Sequence, residues 1–328
     1  MLPKAELHVH LEGTIRPEIA RMLAKRNHLL FPESILDSNG QHYPADNFMQ
    51  FLSLYDQLAA LIRQPQDYFD ITYDYLKQSS LSGCIYTEMM YSPDHAERIS
   101  NIPSSEHLTA IGEAINKAFD DFGIIGRIIT TAVRHFGVSA CENVALQAQN
   151  KPFDFVIGFG LGGDEENYPP QLFTKTYAMA REAGLKTTIH AGEWSDHLSI
   201  EQAINCCKVD RIGHGVRAIE SQHTIDLIND LGIHLEICPS SNVAFGIYPN
   251  ISAHPLPKFI ENKVSVSINS DDPPFIPTTI DKEYAVVQKV FNFNDEKMRQ
   301  LTVNAIKASF VSEEIKHQLL TKIVEQSQ

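Results

Sequence analysis

Ala5-Glu6-Leu7-His8-Val9-His10 is a short β-rich run that ends in polar side chains and gives way to helical spacing further along the chain. The pattern recurs at residues 84–91, 127–134, 155–161, 187–190, 210–214, 233–238 and 264–269. Between these runs, Leu108, Ile111, Ile115 and Phe119 form one stripe at helical spacing, and Thr224, Leu227, Ile228 and Leu231 form another. Strands alternating with amphipathic helices imply an α/β fold with a parallel sheet. Eight such units are the number that closes a (β/α)8 TIM barrel. The rhythm by itself also admits an open, doubly wound sheet.

The stretch 14–82 breaks the rhythm between the first and second runs. It carries helices of its own, with Phe51, Leu52, Tyr55, Leu58 and Ile62 on one face. Insertions at this end of a barrel shape the mouth of the pocket, which would make that helix a lid. The competing expectation is a helix packed on the outside of the barrel. No repeat, low-complexity tract or linker divides the 328 residues, so one domain over 1–328 is expected, with 14–82 as a helical insertion.

Hydrophobic residues make up 43% of the chain, enough for a sizeable core. The formal net charge is -14 and no Lys/Arg-rich block occurs, which argues against nucleic acid or an anionic membrane as partner. No apolar run approaches the roughly 20 residues needed to span a bilayer. Met1-Leu2-Pro3-Lys4-Ala5-Glu6 lacks the apolar stretch of a signal peptide. Cys84, Cys141, Cys206, Cys207 and Cys238 are scattered without CxxC spacing, as reduced thiols are. A cytoplasmic protein is the expectation, with a monomer as the default state.

Nearly every polar constellation falls at the C-terminal end of an expected strand, where a barrel gathers residues distant in sequence. His8 and His10 lie two apart on the first strand and point to the same side. His190 ends the fifth run in His190-Ala191-Gly192-Glu193, and His214 the sixth in Arg211-Ile212-Gly213-His214-Gly215. The eighth leads into Asn269-Ser270-Asp271-Asp272-Pro273. Any one of these histidines taken alone is better read as a hydrogen-bonded core or surface residue. Agreement among four strand ends points instead to a shell of three histidines and one carboxylate, with a position left for water. Zinc is favoured, although iron, cobalt or manganese also accept such a set. Glu193, three residues past His190, is placed as a proton shuttle near the metal but offset from it; a carboxylate favouring a helix N-terminus is the plainer alternative. The glycines of Gly158-Phe159-Gly160-Leu161-Gly162-Gly163 permit close backbone approach to a flat ligand.

Taken together, Pro3-Lys4-Ala5-Glu6-Leu7-His8-Val9-His10-Leu11-Glu12-Gly13, His190-Ala191-Gly192-Glu193, Arg211-Ile212-Gly213-His214-Gly215 and Ser270-Asp271-Asp272-Pro273 resemble the adenosine/adenine deaminase branch of the metal-dependent amidohydrolases. They stand in family order across nearly the whole chain. The resemblance implies one Zn2+ per chain held by His8, His10, His190 and Asp271. The lysine that bridges two metals at the fourth strand of related barrels is missing. Glu193 is then similar to the acid that protonates N1 of a purine. His214 resembles the residue that orients or deprotonates the attacking water and stabilises the tetrahedral oxyanion, and Asp272 the carboxylate that meets N7. Gly163 resembles the backbone donor facing N3, and Phe51, Leu52 and Tyr55 the apolar lid over a small-molecule purine substrate. The other zinc-deaminase design, with an HxE helix and a PCxxC pair, does not match.

Substrate choice within the branch is divided. Glu12 stands where adenosine deaminases carry an aspartate that touches the ribose 5′-hydroxyl, and Gly160 where the animal enzymes have an aspartate. Gly213 follows the adenosine-type phrase. The leading expectation is adenosine, with 2′-deoxyadenosine, converted to inosine and ammonia. The alternative is adenine or an N6-substituted or modified adenine nucleoside, and a non-enzymatic barrel that only binds stands third.

Overall fold

Parallel strands make up the centre of the molecule in the computed structural model, which describes residues 2–45, 47–149 and 153–325. They are β1 (Lys4–His10), β2 (Cys84–Tyr91), β3 (Ile125–Val133), β4 (Val156–Gly162), β5 (Lys186–Thr187), β6 (His190–Ala191), β7 (Arg211–His214), β8 (His234–Ile237) and β9 (Ser265–Ile268). Strands β1 to β5 pair in chain order, as do β6 to β9, and every pairing is parallel.

Two seams join these arcs. At one, the Thr188 N–H reaches Phe159 O at 3.0 Å and the Gly213 N–H reaches Ile189 O at 2.8 Å. At the other, Val9 pairs with Asp271, and the His10 N–H meets Asp271 O at 3.0 Å. The ring closes, which rules out the open sheet and makes the fold a (β/α)8 TIM barrel. The run 187–190, expected as one strand, is two pieces interrupted at Thr188 and Ile189, which bond to Phe159 on one side and Gly213 on the other.

Alternation on β1 shows why this stretch positions a site. Ala5 and Leu7 pack among Ala305, Ile306, Leu319 and Ile323, while Glu6 and His8 hydrogen-bond to Ser270 and Glu236. The helix Ser104–Phe122 buries Ala110, Ile111, Ala114, Ile115 and Ala118. Phe119, expected on the buried stripe, is exposed, because the helix seats on its alanines and the larger ring overhangs that face. Leu231 is likewise exposed, ending the helix Gln222–Leu231 just before Gly232, where φ is 65°.

Between β1 and β2 lie α1 (Pro17–Arg26), α2 (Phe48–Ala59) and α3 (Pro65–Leu81). Asp67 ties this insertion together. Its carboxylate accepts from Arg26 Nη1 at 2.8 Å, Asn27 Nδ2 at 2.7 Å and the Arg63 N–H at 2.8 Å, and it completes the capping box of α3 with Gln64. Asn47 caps α2 by accepting from the Gln50 N–H. Among the described residues, no helix is long and apolar enough to cross a membrane.

Candidate active site

His8, His10, His190, His214, Asp271 and Glu193 converge from four strand ends. Donor atoms of His8, His190, His214 and Asp271 lie within 4.8 Å of one another, as do those of His10, Asp271 and Asp272. His10 Nε2 is 3.1 Å from His190 Nε2 and 3.5 Å from Asp271 Oδ1, which is 3.4 Å from His8 Nε2. Both His214 and Asp271 sit at left-handed backbone angles, φ 57° and 64°, strained conformations for non-glycine residues that turn these side chains inward at the strand ends.

The donor set fits a divalent cation. His8 Nδ1 donates to Glu236 Oε2 at 2.7 Å, and His190 Nδ1 donates to the carbonyl of Leu161 at 3.2 Å. In both rings this leaves Nε2 with its lone pair, the orientation that outer carboxylates and carbonyls impose on metal-binding histidines. His8 Nε2 is also buried with no hydrogen-bond partner. Burial opposes a charge on His8, yet the neighbouring carboxylates of Asp271 and Glu236 outweigh it and raise the pKa of the ring. The surroundings therefore favour positive charge at this point.

Behind the cluster is a buried ionic network that sequence reading did not find. Glu236 accepts from Arg211 Nε at 2.6 Å and Thr188 Oγ1 at 3.0 Å, and Arg211 Nη2 reaches Glu88 Oε2 at 2.5 Å. Burial works against ionised Glu236, but Arg211 and His8 hold its carboxyl down at about 2. Ser241 Oγ donates to Asp271 Oδ2 at 2.7 Å, and Asn242 meets His214 at 3.2 Å. The phrase Cys238-Pro239-Ser240-Ser241-Asn242 was the available clue: a proline opening a short helix just past a strand end.

Glu193 Oε2 lies 3.5 Å from His214 Nε2. Desolvation, followed by the charges of Asp271 and Glu165, pushes its carboxyl well above the usual range. Its loop is gathered on Glu165, which accepts from the N–H groups of Gly192 (2.5 Å), Glu193 (3.1 Å), Trp194 (2.9 Å) and Ser195 (3.3 Å) and from Ser199 Oγ (2.7 Å). Arg134, fully buried, donates to His190 O at 2.6 Å on the other side. Glu165→Ala is expected to orphan those N–H groups and cost at least ~3 kcal/mol of stability. Denaturant unfolding would measure the loss, and an unchanged midpoint would contradict it.

A cavity of about 1160 Å³ opens onto this cluster and is lined by Gly163, Glu193, Asp272, Phe51, Leu52 and Tyr55, among others. Phe51 packs edge-on against Phe245 and Phe275, and with Leu52 and Tyr55 it makes α2 part of the cavity wall. Asp272 is buried with Oδ1 unpartnered, and burial together with neighbouring Asp271 pushes its carboxyl well up. Glu12 is not on the lining. It is 2% exposed, with Oε1 accepting from Tyr68 OH at 3.0 Å and Oε2 from Tyr55 OH at 3.3 Å. Gly213 has a packing reason: a Cβ there would stand 2.7 Å from His8 Cε1.

The model of the family described as adenosine deaminase matches residues 3–326. The chain belongs to that family. It is 39% identical over 323 residues to a protein named adenine deaminase from Chelativorans sp. (strain BNC1), covering 98% of each chain. It is 36% identical to one of the same name from Rhizobium leguminosarum bv. trifolii, covering 98% of this chain and 99% of that one. Among solved structures, adenine deaminase from Arthrobacter aurescens is similar at TM-score 0.91 and 29% identity, over 100% of this chain and 99% of the other. An amidohydrolase from Burkholderia ambifaria with bound Zn is similar at TM-score 0.91 and 25% identity, over 99% and 90%. These findings support a deaminase with a metal site. They do not support adenosine, the leading expectation from sequence, as its substrate.

Proposed function

We propose that the chain hydrolyses the 6-amino group of free adenine, giving hypoxanthine and ammonia, with one zinc ion held by His8, His10, His190 and Asp271. The observation that carries adenine over adenosine is the engagement of Glu12. Tyr55 and Tyr68 each donate to one of its oxygens and it is 2% exposed, so the carboxylate that would meet a ribose hydroxyl is held in a buried pocket off the cavity lining. The names of the relatives point the same way.

When bound, zinc supplies a Lewis acid that makes water nucleophilic near neutrality. The residues do the rest. Glu193, kept neutral by its surroundings, donates its proton to N1 and makes C6 electrophilic. Asp272, also held neutral, donates to N7, and the Gly163 N–H faces N3. His214 positions the water that attacks C6. As the water oxygen bonds to C6 one of its O–H bonds breaks, and a carboxylate of the site takes that proton and passes it to the 6-amino nitrogen. The C6–N6 bond then breaks, ammonia leaves, and the remaining hydroxyl proton returns to Glu193 as the 6-oxo group forms. Phe51, Leu52 and Tyr55 act as the lid, and excluding water strengthens each polar contact beneath it.

Ammonia release from adenine, N6-methyladenine, adenosine and 2′-deoxyadenosine, measured side by side, tests this reading. Adenine is expected to exceed both nucleosides in kcat/KM by at least ~10²-fold, since ribose hydroxyls buried without partners cost about 1–3 kcal/mol each. Adenosine turned over as fast as adenine would overturn it.

A further inference from the structure

Behind His214 runs a line of buried groups whose hydrogen bonds take their direction from one end. The backbone N–H of Leu256 lies 3.1 Å from Nδ1 of His254. A backbone amide only donates, so this nitrogen accepts. Burial holds His254 neutral, its imidazole down at about 3. Its single ring proton therefore sits on Nε2, 3.2 Å from Oδ1 of Asn242. Asn242 thus turns its amide nitrogen toward Nδ1 of His214, also at 3.2 Å. Because that nitrogen accepts, the neutral His214 ring carries its proton on Nε2. Nε2 is the atom that faces Glu193 Oε2 at 3.5 Å and Asp271 Oδ2 at 3.9 Å.

Reversing any one member fails. Flipping Asn242 would set its NH2 against the Nε2–H of His254. Moving the His254 proton to Nδ1 would set it against the Leu256 N–H. Asn242, His214 and His254 are 0%, 1% and 3% exposed, so no solvent is at hand to relieve such a clash.

We propose that Leu256, His254 and Asn242 form a relay that fixes the tautomer of His214, so that His214 acts as a hydrogen-bond donor to the oxygen arriving at C6 and not as the base that takes its proton. The proposal rests on the deaminase reading for its chemistry but on hydrogen-bond geometry and burial for the tautomer. Asn242 and His254 are positioning residues, acting only through His214. The relay also separates His214 from His8 and His190, whose Nε2 atoms keep their lone pairs. The proton lost by the water then goes to a carboxylate of the site.

Nitrogen-15 NMR of histidine-labelled, metal-loaded enzyme, with the His214 signals assigned by their loss in His214→Gln, reads the tautomer directly. An Nε2-protonated His214 is expected. Asn242→Asp swaps the donor for an acceptor and should pull that proton to Nδ1. Turnover of 6-aminopurine should then lose ~10²- to 10⁴-fold in kcat, the scale set by other enzymes that lose an oxyanion donor or hold a catalytic histidine in the wrong tautomer. KM should stay within about threefold and metal content should be unchanged, because substrate and metal contacts are untouched. His254→Gln, which offers the same acceptor and donor, should restore what His254→Leu loses. An Nδ1-protonated His214 in the native enzyme, or Asn242→Asp with kcat within about threefold of native, would overturn the proposal. Should Asn242→Asp fail to fold, the native NMR and the His254 pair still decide. If the native enzyme releases no ammonia from any 6-aminopurine, the reaction reading falls while the tautomer is still measured.

Discussion

Glu193→Gln should lower kcat by at least ~10²-fold while leaving KM and metal content nearly as they were. The argument rests on what the substitution keeps. An amide has the shape and charge of a neutral carboxylic acid, the form that burial and the charges of Asp271 and Glu165 favour at this position. It occupies the same space beside His214 and donates the same kind of hydrogen bond to N1. What it lacks is a proton to give, so the loss appears only in the transition state, the pattern of a kcat effect at constant KM. The loop should not move, since Glu165 holds it through backbone N–H groups that any residue at 193 supplies. Glu193 is also outside both groups of clustered metal-donor atoms. Steady-state kinetics with metal analysis of the same preparation would check this. Native-like turnover would remove Glu193 from the chemistry.

The barrel was legible because its strands end in polar residues and its helices keep a period, and both are local properties. His8 and His10 could be paired from spacing alone because a strand places residues two apart on one side. The groups that hold them could not. Glu236 sits 228 residues from His8, Ser270 sits 264 from Glu6, and neither pair shares a local pattern. Glu165 follows the glycine-rich run with no local pattern to mark it, although it organises the loop that carries Glu193. Of the substrate clues, Gly213 pointed to adenosine but makes room for the His8 ring, while Glu12, which left room for free adenine, is buried beneath two tyrosines of the insertion. A sequence names side chains, but which neighbour saturates a buried carboxylate is decided by the tertiary fold.

Asp271→Ala and His190→Ala should each strip the site of metal and abolish measurable turnover. Asp271 Oδ1 stands between His8 Nε2 and His10 Nε2 at 3.4 and 3.5 Å, and its removal leaves both imidazoles without their shared carboxylate. His190 closes the cluster on the side of His10, at 3.1 Å. Losing a group that only orients a ligand already costs ~10- to 100-fold in metal affinity, so losing a ligand should cost more. Thermal unfolding separates this outcome from simple misfolding. A metal that binds only the folded state stabilises it by mass action, about 2.7 kcal/mol at a hundredfold excess over Kd. Chelation should therefore lower the Tm of the native protein, and added zinc should restore both Tm and turnover. In the two variants neither treatment should shift Tm. A variant that still binds one equivalent of zinc and gains stability from it would show that the cation is held elsewhere, and the assignment of these four ligands would have to be given up.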